Sequence, residues 1–298
     1  MLAGMETSMM RITKLDAPRC RGGENPMWDA SSGTLYYIDN TGQKVHSYDP
    51  ATGSSRTLDM PSVITTLVLR QGGGAVVTLR TGIHYLDLGS GVLELVSPLA
   101  DPPPFVFNDG KVDSRGRFVI GASTANFGNP GPDGGLYRFD PDLSLTQLDT
   151  GIHFSNSPCW SPDGKTFYFS DSWLKTTYAY DYDAETGTVC NRRAFVNTSD
   201  LDGLPDGATV DADGLYWVAV YQGGKIAAYC PDGKLERTVD MPVKLVSSVM
   251  FGGPQLDRLF VTTIEHGALG EPVEDGAGDL YVVDGLGANG LPEHRFAG

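Results

Sequence analysis

Four side chains with the chemistry of metal ligands stand at similar places in a recurring strand pattern. They are Glu24, Asn108, Asn156 and Asp206, and each stands at or just before the first strand of a unit. Carboxylate and amide oxygens form a hard, all-oxygen ligand set, which suits Ca²⁺, Mg²⁺ or Mn²⁺ and tolerates Zn²⁺ or Fe²⁺ when water completes the shell. If the units form a ring, their first residues converge, and the sequence then predicts one divalent cation at the meeting point.

The unit that carries these side chains is clearest at residues 156–172. It begins with Asn156, continues through a short apolar run, turns at Ser161-Pro162-Asp163-Gly164-Lys165 and returns through an aromatic strand. This order predicts a strand, a tight turn and a second strand, in which Asp163, like Asp213 in another unit, is a turn former. The role of Asp109, which also precedes a glycine, stays open. Glu24 and Asp206 stand before inner strands and not between two paired strands, so they are not predicted to be turn formers.

The unit recurs six times, with starts near residues 24, 65, 108, 156, 206 and 247. A period of about 40 to 50 residues with three clear strands per unit, and a fourth in the linking segments, predicts an all-β, six-bladed β-propeller with four antiparallel strands per blade. A pair of unrelated β-sandwiches would not repeat the Asp-Gly turn and the tyrosine-rich third strand so regularly. We expect residues 11–298 to form one propeller domain and residues 1–10 to be a flexible leader without the features of a signal peptide. The first strand of each blade lines the channel, where Thr65, Lys111 and Ser247 either face the pocket or support it.

Composition narrows the range of partners. The net charge is −15, and no basic run offsets it, so nucleic acid and anionic membranes are excluded as partners. The four cysteines are widely spaced and show neither a zinc-knuckle pattern nor a disulfide framework. We therefore expect a cytoplasmic protein with reduced thiols, a monomer or weak homo-oligomer, whose partner is a small molecule.

Several motifs resemble the gluconolactonase/regucalcin (senescence marker protein) family. They are Gly23-Glu24-x-Pro26-x-Trp28, Phe107-Asn108-Asp109-Gly110-Lys111-Val112-Asp113, Ser155-Asn156-x-Pro158 with its following turn, and Pro205-Asp206-Gly207. The resemblance extends from about residue 20 to the end of the sequence and implies a six-bladed propeller. It further implies one divalent metal (Ca, Zn, Mn, Mg or Fe(II)) held by Glu24, Asn156 and Asp206, with Asn108 contacting the substrate near the metal.

The activity that this resemblance implies is hydrolysis of a sugar-acid lactone, with Asp206 as the general base that activates water. Two positions depart from the animal members of the family that act on gluconolactone. Val106 replaces an arginine, and Asn126 stands in the loop where those members carry an acidic residue. Both are predicted to contact substrate, and both make the pocket less polar, which favours a pentonolactone, a deoxysugar lactone or a substrate that is not a sugar. The loops at 123–134 and 264–276 are predicted lids or else plain surface loops.

Two other functions fit the same pattern. One is a promiscuous metal-dependent esterase or organophosphate hydrolase of the same fold. The other is a calcium-binding propeller without catalytic activity, which presents its rim to partners. Assays of aldonolactones against phosphotriesters would separate the first alternative from a lactonase, and metal binding without hydrolysis in a broad panel would indicate the second.

Overall fold

A computed structural model describes residues 9–100, 105–125, 131–267 and 273–298. Within these residues the chain forms 24 strands and one short 3₁₀ helix at Ser199–Leu201. The strands are arranged in six four-stranded antiparallel sheets, and this confirms the six-bladed propeller.

The first strand is β1 (Arg11–Lys14). Blade one contains β2 (Gly23–Asp29), β3 (Thr34–Asp39), β4 (Lys44–Tyr48) and β5 (Ser55–Asp59). Blade two contains β6 (Ile64–Leu69), β7 (Ala75–Leu79), β8 (Gly82–Leu86) and β9 (Leu93–Pro98). Blade three contains β10 (Phe105–Val112), β11 (Phe118–Thr124), β12 (Gly134–Phe139) and β13 (Leu145–Ile152).

Blade four contains β14 (Ser155–Trp160), β15 (Thr166–Asp171), β16 (Thr176–Asp183) and β17 (Thr188–Asn197). Blade five contains β18 (Leu204–Val210), β19 (Tyr216–Tyr221), β20 (Lys225–Tyr229) and β21 (Leu235–Asp240). Blade six contains β22 (Val246–Gly252), β23 (Arg258–Thr263) and β24 (Tyr281–Asp284), and β1 completes it. No helix in these described parts of the chain is long and apolar enough to cross a membrane.

Blade six is completed by the start of the chain. Strand β1 pairs antiparallel with β24, so that Arg11 lies opposite Asp284 and Lys14 lies opposite Tyr281. The sequence indicated the three other strands of this blade but did not assign its fourth. The ring is therefore closed by pairing between the two ends of the chain. Residues 1–8 lie outside the described part, so the expected division into a leader and one domain stays a prediction.

Burial decreases from the channel to the rim of each blade. The second strands β7 and β19 are buried at every position, whereas the outer strands β5 and β21 are largely exposed and carry charged residues. A strand packed between two neighbouring blades is covered on both faces, and its sequence is therefore almost continuously apolar. The inner strands also approach closely: a Cβ at Gly207 would lie 2.0 Å from the Ser248 Oγ atom of blade six. Only glycine fits at this contact.

Each inner strand is irregular near its beginning. The pairing register shifts between Glu24 and Met27 in β2, and an equivalent shift occurs in each of the other five inner strands. Such bulges change the direction in which side chains point. In β2 and β14 the bulge contains a non-glycine residue with positive φ, Asn25 (47°) and Ser157 (61°). The predicted ligands Glu24 and Asn156 immediately precede these two residues.

Candidate functional site

The bulged ends of the inner strands surround a cavity of about 720 Å³. Six of the residues selected from the sequence line it: Glu24, Thr65, Val106, Asn108, Asn156 and Asp206. Lys111 and Ser247 are not among its described lining residues, because each side chain is committed elsewhere. The Lys111 Nζ atom lies 3.1 Å from a Glu293 carboxylate oxygen, and Ser247 donates a hydrogen bond to the Gly23 carbonyl oxygen. Lys111 and Ser247 therefore support the structure around the cavity and do not line it.

Some predictions concern residues that the structure does not describe. Asn126 lies outside the described residues, as do parts of the two predicted lids, 126–130 and 268–272. The turn predicted around Asp163 is confirmed, since its Oδ1 atom accepts a hydrogen bond from the Lys165 amide at 3.1 Å.

The two amide side chains in the cavity hold each other in place. The Asn108 Nδ2 atom donates to the Ser155 carbonyl oxygen at 2.7 Å and to the Asn156 Oδ1 atom at 3.0 Å. The Asn156 Nδ2 atom donates to Ser172 Oγ at 2.9 Å, and Ser172 in turn donates to the Pro205 carbonyl oxygen. Both amide nitrogens are therefore engaged within the protein. The Oδ1 atom of Asn156 has a fixed position and retains a lone pair for a further partner.

The two carboxylates are electrostatically uncompensated. Burial raises the pKa of Glu24, and the charges of Asp206 and Asp109 raise it further. Burial likewise raises the pKa of Asp206, with Asp109 as the second cause. Among the described residues no basic side chain forms an ion pair with Glu24 or Asp206. A divalent cation would supply the missing positive charge, so this donor set fits the metal that the sequence predicts.

Asp109 has a role that the sequence did not reveal. It belongs to strand β10 and not to a turn, and its carboxylate accepts hydrogen bonds from the amides of Ser157 (3.0 Å) and Gly110 (2.9 Å), with the Asn25 side chain as a polar neighbour. Asn25 and Ser157 are the positive-φ residues that follow two predicted metal ligands. Asp109 therefore holds the bulge of blade four in position and lies beside the bulge of blade one.

Burial raises the pKa of Asp109 to about 6, although the charge of Lys111 opposes this shift. The sequence did contain one signal for the role of Asp109, which is its neighbour Asn108. Asn108 is predicted to begin an inner strand, so Asp109 and Gly110 belong to that strand and not to a turn.

Hydrogen bonds from the same bulges also join neighbouring blades. They connect five of the six blade interfaces: Leu67 N to Asn25 Oδ1, Thr66 Oγ1 to Asn108 O, Asn108 Nδ2 to Ser155 O, Ser157 Oγ to Asp206 O, and Ser247 Oγ to Gly23 O. Three groups in these bonds belong to residues predicted to hold metal or substrate. They are the carbonyl oxygen and the Nδ2 atom of Asn108 and the carbonyl oxygen of Asp206. The position of each such residue is thus fixed by the blade beside its own.

Part of the cavity lining, here called the apolar wall, is hydrophobic. Val106 lies on it with Phe107, Phe154 and Trp173, and Trp173 is 48% exposed. Val106 is thus at the cavity, where the sequence placed it, and contributes no hydrogen-bond donor there. The described lining also includes two basic side chains, Arg80 and His266. The cavity lining therefore combines carboxylate and amide side chains with apolar and aromatic ones.

A six-bladed propeller with two carboxylates and two amides around one end of its channel defines a narrow structural class. The SMP-30/Gluconolactonase/LRE-like region matches residues 22–265, and the chain belongs to this family. A regucalcin of Danio rerio is 33% identical over 279 residues, which cover 93% of this chain and 95% of the relative. Pentonolactonase XacC of Haloferax volcanii is 35% identical over 292 residues, which cover 96% of this chain and 98% of the relative.

A solved structure of similar form is described as a calcium-binding protein, regucalcin, from Agrobacterium tumefaciens. It has a TM-score of 0.86 and 27% sequence identity, and the match covers 95% of this chain and 96% of that chain. The family resemblance seen in the motifs is therefore confirmed. Its members carry names that refer both to lactone hydrolysis and to calcium binding.

Proposed function

We propose that this protein is a metal-dependent lactonase that opens an aldonolactone, with a pentonolactone as the preferred substrate, to the free acid. The observation that carries the proposal is that Glu24, Asn156 and Asp206 line one cavity together with Asn108. A relative named pentonolactonase, 35% identical over nearly the whole chain, supports the same reaction class.

The metal would be held by the carboxylates of Glu24 and Asp206 and by the Oδ1 atom of Asn156. A divalent cation bound there supplies a Lewis acid for the lactone carbonyl group. Ca²⁺, Mg²⁺, Mn²⁺, Zn²⁺ and Fe²⁺ all accept this ligand set. The regucalcin of known structure from A. tumefaciens is described as a calcium-binding protein, which makes calcium the first ion to test.

Asp206 is the proposed general base. Its carboxylate takes a proton from the attacking water, whose oxygen forms the new bond to the carbonyl carbon. The ring C–O bond then breaks, and the same proton passes from Asp206 to the departing alkoxide oxygen.

Asn108 is proposed to orient the substrate. Because its Nδ2 atom is committed to the Ser155 carbonyl and to Asn156, its Oδ1 atom is left to accept a hydrogen bond from a sugar hydroxyl group. The Val106 side chain offers no hydrogen bond to the substrate, and Asn126 is proposed to contribute an uncharged polar contact. A substrate with few hydroxyl groups on that side fits best.

The test is a rate panel of pentono- and hexonolactones with the five metals restored one at a time to chelated protein. We expect chelation to abolish hydrolysis and Asp206→Asn to reduce kcat by about 10²-fold to 10⁴-fold, the usual range for a general base. Asp163→Asn, which alters an aspartate in a turn, is the matched control and should leave the rate unchanged. Full activity in chelated wild type or in Asp206→Asn would refute the proposal.

The same panel addresses two other functions. The apolar wall with Trp173 favours including aryl esters and phosphotriesters, and faster turnover of these substrates would indicate a promiscuous esterase. Stoichiometric calcium binding without hydrolysis of any substrate would indicate a binding protein. All four cysteines are free, which supports the proposed cytoplasmic location, where thiols stay reduced.

A further inference from the structure

A second group of potential metal ligands lies in blade one, outside the ligand set described above. It consists of Cys20 in the segment before β2, Asp39 at the end of β3 and His46 in β4. One ligand atom from each residue lies within 4.8 Å of the other two, and the three side chains are only 2–3% exposed. Gly22, Asn40 and Thr41, which are close neighbours in sequence, line the large cavity. The group therefore lies directly behind the cavity wall.

His46 has one nitrogen with a partner and one without. Its Nδ1 atom lies 2.8 Å from Thr57 Oγ1, whereas its Nε2 atom is buried and has no hydrogen-bond partner among the described residues. Burial lowers the pKa of His46 to about 4, so the ring is neutral near pH 7. When the proton resides on Nδ1 and is donated to Thr57, the Nε2 atom presents an unused lone pair. A histidine that binds metal through one nitrogen typically donates its other N–H to a neighbouring oxygen in this way.

Asp39 is held rigidly by the backbone. Its Oδ1 atom accepts hydrogen bonds from the amides of Gly22 and Gly42, each at 2.9 Å, and its Oδ2 atom accepts one from Arg21 at 3.1 Å. Oδ2 therefore retains capacity for another partner. No lysine, arginine or histidine forms an ion pair with Asp39 in the described parts of the chain. A buried, oriented carboxylate without a cationic partner is the electrostatic situation that a bound cation relieves.

We propose that Cys20, Asp39 and His46 form a second metal site, for a zinc-class divalent cation. A sulfur, nitrogen and oxygen set is typical of Zn²⁺, whereas Ca²⁺ and Mg²⁺ require oxygen ligands throughout. The thiol of Cys20 loses its proton to solvent on binding. A dipositive ion with one thiolate, one carboxylate and a neutral imidazole is then a centre of zero net charge, which suits a buried position.

The geometry requires only a small adjustment. With metal–ligand distances of about 2.0–2.3 Å, the ligand atoms of a tetrahedral zinc site lie roughly 3.3–3.7 Å apart. Since the ligand atoms now lie within 4.8 Å of one another, each pair would have to approach by about 1.5 Å at most, with a water molecule as fourth ligand. The bound ion would fasten the segment before β2 to strands β3 and β4. Its role is to stabilise the cavity wall.

Cobalt substitution tests the site independently of catalysis. Chelated full-length protein is titrated with Co²⁺, and a thiolate-to-cobalt charge-transfer absorption is expected, because only the second site offers sulfur. Zinc binding measured by calorimetry in two buffers should release about one proton per ion at this site. Cys20→Ser should abolish the absorption and weaken zinc binding about 100-fold or more, since even changes around a ligand cost 10-fold to 100-fold.

Two controls keep the outcome decisive. Cys159→Ala changes another buried cysteine, in β14, and should leave the absorption intact, as should Asp206→Asn, which removes a ligand of the cavity site. If Cys20→Ser fails to fold, His46→Gln serves in its place, and the wild-type spectrum is decisive by itself. Wild-type protein without the charge-transfer absorption, or an absorption that survives in Cys20→Ser, would overturn the proposal. Both results leave the lactonase proposal untouched.

Discussion

Replacing Lys111 with methionine should destabilise the propeller far more than removal of a surface lysine. The Lys111 Nζ atom lies 3.1 Å from a Glu293 carboxylate oxygen, and the two side chains are 7% and 16% exposed. Burial alone would lower the pKa of Lys111, but Glu293 and the other nearby acidic groups hold it above its usual value, so Lys111 stays positively charged. Removing one partner of a buried pair leaves the other charge uncompensated. We expect the free energy of unfolding to fall by about 3–5 kcal/mol.

Urea unfolding followed by tryptophan fluorescence measures this loss. Replacing both partners, as Lys111→Met with Glu293→Leu, should recover most of the stability, because no buried charge then remains unpaired. Lys44→Met is the matched control: Lys44 and its partner Asp59 are 40% and 84% exposed, and loss of such a pair should hardly change the midpoint. Equal midpoints for Lys111→Met and Lys44→Met would refute the reasoning.

Lys111→Met should also affect the site. The positive charge of Lys111 lowers the pKa of Asp109, which burial otherwise raises. Without that charge Asp109 becomes protonated at a higher pH, and its acceptance of the hydrogen bond from the Ser157 amide weakens. Metal affinity, measured by titration calorimetry, should therefore fall more steeply with decreasing pH in the variant than in the wild type.

Three further predictions concern the cavity. Because the folded-state pKa values of Glu24 and Asp206 are raised, chelated protein should gain stability as the pH falls through those values towards the unfolded-state pKa values. Asp206→Asn should flatten this dependence, as measured by urea unfolding at a series of pH values. Ser172→Ala removes the acceptor that orients the Asn156 amide and should weaken metal binding about 10-fold to 100-fold, as measured by competition with a chelating dye. Val106→Arg adds hydrogen-bond donors to the apolar wall and should shift kcat/KM from pentonolactones towards hexonolactones; an unchanged ratio would show that Val106 does not contact substrate.

The fold could be predicted from the sequence because a propeller blade is a local structure. Consecutive strands pair with each other, and the turns between them use Asp-Gly and similar pairs that are recognisable in isolation. The fourth strand of blade six could not be found in this way, because it pairs residues from opposite ends of the chain. Residues Arg11–Lys14 show no signal that they belong beside Tyr281–Asp284.

The site was predictable only in part. Glu24, Asn156 and Asp206 were found from their places in the repeat and from the family motifs, and all three line the cavity. Asp109 escaped because its glycine neighbour suggested a turn, and the positive-φ bulge that it holds depends on contacts between blades. Cys20 and His46 do not stand at the spacing of any recognisable metal-binding motif. The fold brings them together because Cys20 precedes β2 and His46 lies in β4 of the same blade.

Closure of the ring by β1 has a consequence for the order of folding. Strand β1 pairs with β24, the last strand in the described part of the chain, so the contact between Arg11 and Asp284 spans almost the entire sequence. Until that contact forms, β24 has an unpaired edge that can add a strand from another molecule. Long-range pairing of this kind is slow to form. Blade six is therefore the part of the newly made protein most exposed to misassembly, and the last to be protected.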